Sequence, residues 1–197
     1  MRRIAHLTAL LLAIAALNAS ANEAEVRAAS LEAVEDGLVL NADFTFELSQ
    51  RLQEVVANGV PLYFRVEFEL MRPRWYWLDE KAASRVLQLR LSYHALSRHY
   101  RLSTGLLQQN FTTLEEALNV LKRVRNWLVV DRTATFSDAD YEAAVRLRLD
   151  TGMLPRPFQL SAITSRELQL ESAWKRFTVR PAQVPAPVES RSPKGDR

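Results

Sequence analysis

The stretch "PLYFRVEFEL", residues 61–70, constrains this chain more than any other feature. Leu62, Phe64, Val66, Phe68 and Leu70 alternate with Tyr63, Arg65, Glu67 and Glu69. A period of two sends successive side chains to opposite faces, so the segment is a strand with one apolar and one polar face. "YEAAVRLRLD" repeats the pattern, with Tyr141, Ala143, Val145, Leu147 and Leu149 set against Glu142, Arg146, Arg148 and Asp150. So does "RVLQLRLSYHA", through Leu87, Leu89, Leu91 and Tyr93. Strands with one wet face belong to antiparallel sheets.

Two segments switch to helical spacing. In "LSQRLQEVVANG", Leu48, Leu52, Val55 and Val56 share a face and Gly59 is the expected stop. In "FTTLEEALNVLKRVRNW", Thr113 and Glu116 fit a capping box, and the stripe runs through Leu114, Ala117, Leu118, Leu121 and Val124. The segment "SLEAVEDGLVLNADFTFEL" reads as a hairpin turning at Glu35-Asp36-Gly37, preceded by a loose lead-in, "NEAEVRAAS". "NWLVVDRTATF" reads as a short strand, "MLPRPFQL" as an extended proline-bearing connection, and "RELQLESAWKRFTVR" as a last strand with a parity slip between Trp174 and Phe177. The fold class expected is mainly β (α+β): an antiparallel sandwich or strongly curved sheet of about seven to eight strands with two amphipathic helices.

The N-terminus is read separately. Arg2 and Arg3 precede an apolar run from Ile4 to Leu17, and Ala19-Ser20-Ala21 matches a small-x-small cleavage pattern. The run is short of the ~20 residues a span needs, so residues 1–21 read as a secretory signal peptide. Residues 22–180 then form one domain, and 181–197 a polar, proline-rich tail expected to be disordered. No membrane span is expected after cleavage.

Composition excludes several chemistries. The chain has no cysteine, so disulfides, thiolate metal sites, a thiol nucleophile and a lipidated N-terminal cysteine are all excluded. Without the two leader arginines, the 26 Lys and Arg nearly balance the 23 Asp and Glu. That near-balance and the expected export argue against a nucleic-acid partner. Neither a G-x-S-x-G elbow nor a phosphate loop occurs. Asp150-Thr151-Gly152 matches the aspartic-protease triplet, but the chemistry needs two aspartates and the triplet occurs once; a strand end that turns is the simpler reading. Glu67 and Glu69 read as a solvated strand face.

The best surface candidates lie in "LSYHALSRHYRLSTG", residues 91–105. A turn over Ala95–Arg98 pairs Leu91 with Leu102 and Tyr93 with Tyr100, the hydrophobic matching that sets register. The same register sets His94 opposite His99 and Ser92 opposite Arg101. The result is a polar face of Arg90, Ser92, His94, His99, Arg101 and Ser103. A solvated strand face is the plainest account of it. As a binding surface, its arginines repel a metal ion and favour an anion or an acidic partner surface. Trp75 and Trp77, beside Arg72 and Arg74, are aromatic surface candidates, although core anchors at a sheet edge are the simpler reading of them. No metal and no cofactor is expected.

The ordered blocks "RPRWYWLDEK", "RLSYHALSRHYRLSTG", "FTTLEEALNVLKRV", "YEAAVRLRLDTGMLPRPFQL" and "ESAWKRF" resemble an exported proteobacterial family, domain of unknown function 4390. The resemblance covers roughly residues 30 to 180. It implies a periplasmic or envelope-associated protein of a Gram-negative bacterium. Through gene neighbourhood it also implies an accessory role beside a membrane sensor kinase or other envelope protein. It implies no activity and assigns no site residue. The expected function is therefore a non-enzymatic binding or accessory module for a partner protein or a small anion. The alternatives are a periplasmic hydrolase using His94 or His99 as base, and a structural envelope component.

Overall fold

The computed structural model describes residues 23–73 and 80–180. The leader, Trp75, Trp77 and the C-terminal tail lie outside the described residues.

The two clearest alternations form adjacent strands. Strand β3 (Leu62–Arg72) and strand β8 (Tyr141–Leu149) pair antiparallel, with Val66 opposite Leu147 and Phe68 opposite Val145. All five apolar residues of "PLYFRVEFEL" are fully buried, and their five counterparts on β8 are at most 5% exposed. Period-two patterning thus fixes which face of the sheet meets the core.

The remaining strands are β1 (Glu23–Val34), β2 (Gly37–Thr45), β4 (Glu80–His94), β5 (His99–Thr104), β6 (Leu107–Phe111), β7 (Arg123–Asp131), β9 (Glu171–Ser172) and β10 (Lys175–Val179). They form one sheet in the order β6-β5-β4-β3-β8-β9-β1-β2-β7, with β10 also on β8. Strand twist coils so wide a sheet, and here it curls into a half-barrel whose inner face holds the core. The strongly curved sheet is therefore the form adopted, rather than two packed sheets. Gly37 opens β2 at φ +143°, where a Cβ would lie 2.0 Å from the Val130 carbonyl oxygen, so only glycine fits beside β7.

Three helices complete the fold. Helix α1 (Gln50–Ala57) starts where Ser49 Oγ accepts the Leu52 amide at 3.1 Å, and buries Leu52, Val55 and Val56 against β4 and the 3₁₀ turn Arg166–Leu168. Gly59, at φ +83°, ends it as expected. Helix α2 (Leu114–Leu121) carries the expected capping box: Glu116 N donates to Thr113 Oγ1 at 3.2 Å, and Glu116 Oε2 accepts the Thr113 amide at 3.3 Å. Helix α3 (Arg156–Thr164) follows a 3₁₀ turn at Thr151–Met153.

The described residues form ten strands and three helices against the seven or eight and two expected. "MLPRPFQL" is not extended: Pro155 caps α3 and Pro157 sits in its first turn, where a missing N–H costs nothing. The lead-in is not loose, since β1 begins at Glu23 and buries Ala24 and Val26. Helix α2 ends at Leu121, short of Val124, because β2 claims the next residues: Phe44 N donates to the Lys122 carbonyl at 2.8 Å, and Val124 is buried opposite Ala42. The expected last strand divides into the 3₁₀ turn at Arg166–Leu168, β9 and β10.

Candidate functional site

The sheet ends at β6 on one side and β7 on the other. Helix α2 connects them and packs on β5, β6 and β7. Past the end of α2 the inner face is uncovered, leaving a cleft of about 370 Å³. One wall is Leu87 and Leu89 of β4, Leu102 and Thr104 of β5, and Leu107 and Gln109 of β6; the other is the end of α2 and residues 123–127 of β7. Leu89, Leu102, Leu121 and Val124 are buried, so the cleft is continuous with the core. Leu107 is 73% exposed and Val120 39%, so apolar surface also reaches solvent at the seam.

Arg123 and Arg125 are the charged residues of this cleft, and no carboxylate lines it. Arg125 is already engaged: its Nη1 donates to the carbonyls of Ala42 at 3.0 Å and Val124 at 2.9 Å, and its Nη2 pairs with Asp43. The Arg123 guanidinium has no partner among the described residues. Further along the same two strands, Arg85 Nη2 ties β4 to β7 through Asp131 at 2.7 Å.

The edge of β7 is irregular. Its register against β2 shifts twice, between Leu38 and Val39 and between Leu40 and Ala42. Asn126 sits at φ +51°, and its amide donates to Asn41 Oδ1 at 2.9 Å.

The model of the family described as domain of unknown function (DUF4390) matches residues 21–178. The chain belongs to that family. No curated protein and no solved structure matches it.

The hairpin of this DUF4390 domain has the register expected from its sequence. Leu91 pairs with Leu102, Tyr93 with Tyr100, Ser92 with Arg101 and His94 with His99. The tyrosine rings lie 4.9 Å apart between centroids. The imidazoles serve the turn instead of each other. His94 Nδ1 accepts from Ser97 Oγ at 3.1 Å and from the Ser97 amide at 3.4 Å, while the His99 ring N–H donates to the Ser97 carbonyl. Arg101 Nε donates to Asn110 Oδ1 at 3.3 Å, and the Arg90 guanidinium lies 5.9 Å from the Tyr63 ring centre. Arg90 and Ser103 share a separate depression with Tyr63 and Leu106. None of the six polar hairpin residues lines the seam cleft. Among the described residues there is no group of three or more His, Asp or Glu that could hold a metal ion.

Glu67 corrects the reading of a solvated face. It is only 9% exposed. The β3–β8 register sets it opposite Arg146 and sets Arg65 opposite Arg148. Arg146 Nε donates to Glu67 Oε2 at 2.7 Å and Arg148 Nε to Oε1 at 2.8 Å. Arg146 also reaches Glu171 on β9 at 2.6 Å and lies 4.5 Å from the Trp174 ring centre. Burial pushes the Glu67 carboxyl up, but the hydrogen bonds and charges of Arg146 and Arg148 outweigh it and hold the carboxyl below its ordinary range. The Asp150-Thr151-Gly152 triplet is a turn: Asp150 pairs with Arg65 at 3.5 Å and a 3₁₀ turn begins at Thr151.

Sequence reasoning found the hairpin and missed the cleft. Leu87, Leu89 and Leu102 read as ordinary core positions, and only the tertiary arrangement leaves their face uncovered. The available signal was the pair Thr104 and Gln109, two polar residues on a face otherwise reserved for the core.

Proposed function

We propose that this DUF4390 domain is an exported, non-catalytic binding module of a Gram-negative envelope, with the seam cleft as its working surface. The cleft carries the reading: it is an apolar concavity continuous with the core, left open by the described chain, beside an arginine with no partner among the described residues. Well-formed apolar pockets with a few convergent polar groups are the usual form of a binding site. Arg2-Arg3, the apolar run and Ala19-Ser20-Ala21 support export. The partner is an envelope component that presents an apolar part to the cleft, and an accessory role beside a membrane sensor fits such a module.

In-cell photo-crosslinking tests the reading. A photoreactive residue at Leu107 or Val120 forms a defined adduct, and the same residue at Glu32, exposed on β1, does not. Cleft positions that give no adduct above the Glu32 control, or a chain retained in the cytoplasm, overturn it.

A further inference from the structure

We infer that the ligand of the seam cleft is an anionic amphiphile with one acyl chain, of the size and charge of a free fatty acid. The inference rests on the cleft being the binding surface and names what binds there. Three features specify the ligand.

The first is size. A volume of about 370 Å³ lies at the lower end of the ~300–1,000 Å³ range of small-molecule pockets. It accommodates one acyl chain.

The second is the character of the wall. Leu87, Leu89, Leu102 and Leu107 face Val120 and Val124, a lining that rewards methylene burial. Each buried methylene multiplies affinity by up to about fourfold.

The third is charge. Arg123 has no partner among the described residues, and no carboxylate lines the cleft to compete with an incoming acid. A guanidinium of this kind binds a carboxylate with two parallel hydrogen bonds.

The same geometry disfavours an extended peptide. A peptide added as a strand needs a regular free edge. The β7 strand is broken by two register shifts. Bulges of this kind protect edges from strand addition. The β6 edge is only five residues long.

The test is calorimetric titration of the full-length protein, purified without detergent and delipidated, with saturated fatty acids from octanoate to laurate and with dodecanol. Laurate binds one per chain, and affinity climbs two- to fourfold per methylene along the series. Dodecanol, with the same chain and no charge, binds about tenfold more weakly. Arg123→Gln removes that tenfold gap and leaves dodecanol unchanged. Leu107→Asp and Val120→Asp, both at solvent-exposed positions, abolish binding of both ligands while circular dichroism stays that of the wild type. Wild-type protein that ignores laurate, or either cleft variant binding it like wild type, overturns the proposal. A laurate–dodecanol gap that survives Arg123→Gln overturns the anionic head. If laurate fails while photo-adducts at Leu107 carry a polypeptide, the ligand class falls and the cleft stands. If both experiments are negative, both readings fall.

Discussion

Two joints of this sheet are weakly held by backbone pairing, and the chain treats them in opposite ways. Between β8 and β1 lies the two-residue β9, paired to β8 at one position and to β1 at two. Side chains reinforce it: Arg146 joins Glu67 to Glu171 under Trp174, and Ser172 Oγ accepts the Leu147 amide at 3.0 Å. Between β7 and the strands across the cleft, Arg85 pairs with Asp131, Arg123 has no partner among the described residues, and leucines reach solvent. Arginine matched to the chain's own carboxylates acts as scaffold.

The largest effect is expected on removing the carboxylate at the closed joint. Glu67→Ala leaves the Arg148 guanidinium, 34% exposed, without its carboxylate, and leaves Arg146, 23% exposed, with Glu171 alone among the described carboxylates. Losing one partner of a fully buried pair costs about 3–5 kcal/mol; the partial exposure of Arg148 and the Glu171 that Arg146 keeps bring the expectation to about 2 kcal/mol of unfolding free energy. Leu107→Asp at the open joint changes stability by no more than about 0.5 kcal/mol, as surface substitutions do. Urea denaturation of both variants decides it. Equal losses would mean that the cleft is as much scaffold as the joint.

Acid should weaken the closed joint. The folded Glu67 carboxyl lies below its ordinary value of 4.5. The unfolded chain therefore takes up the proton first as pH falls. The stabilisation is complete above the unfolded value and is lost as pH drops through the folded one. Glu116, held low first by its bond from Thr112, and Asp140, held low first by Arg180, titrate in the same direction. The difference between wild type and Glu67→Gln isolates the joint. Thermal melts from pH 6 to pH 3 should converge as pH falls below about 4.5. A constant gap across that range would mean that Glu67 acts by packing alone.

The closed joint was half legible in the sequence. Alternation in β3 and β8 put Glu67, Arg146 and Arg148 on polar faces, but only the register between two strands nearly eighty residues apart shows that they meet. Local signals were read correctly where the cause is local. The capping box of Thr113 and Glu116 is one case, and the hairpin that matches Leu91 to Leu102 is another. Strand β6, "LQQNF", has no apolar alternation because only part of its inner face is covered. The prolines before α3 are ambiguous in sequence, since first-turn and extended positions both tolerate them. The open joint was least legible, because its leucines carry the same pattern as buried ones.

The smallest expected effect belongs to the hairpin tip, and it sharpens the comparison by testing whether a third region takes part. His94 and His99 face each other in register, yet each ring bonds to Ser97 in the turn. What sets the register is the leucine pair and the tyrosine pair beneath them. Hydrogen bonds made in water at an exposed turn add little, because the unfolded chain makes equivalent bonds to solvent. The double variant His94→Ala, His99→Ala should therefore shift stability by no more than about 0.5 kcal/mol and leave laurate affinity unchanged, since neither ring lines the cleft. A measured loss of laurate binding in that variant would join the hairpin to the cleft, and the division of the sheet into a stitched scaffold and one open seam would have to be redrawn.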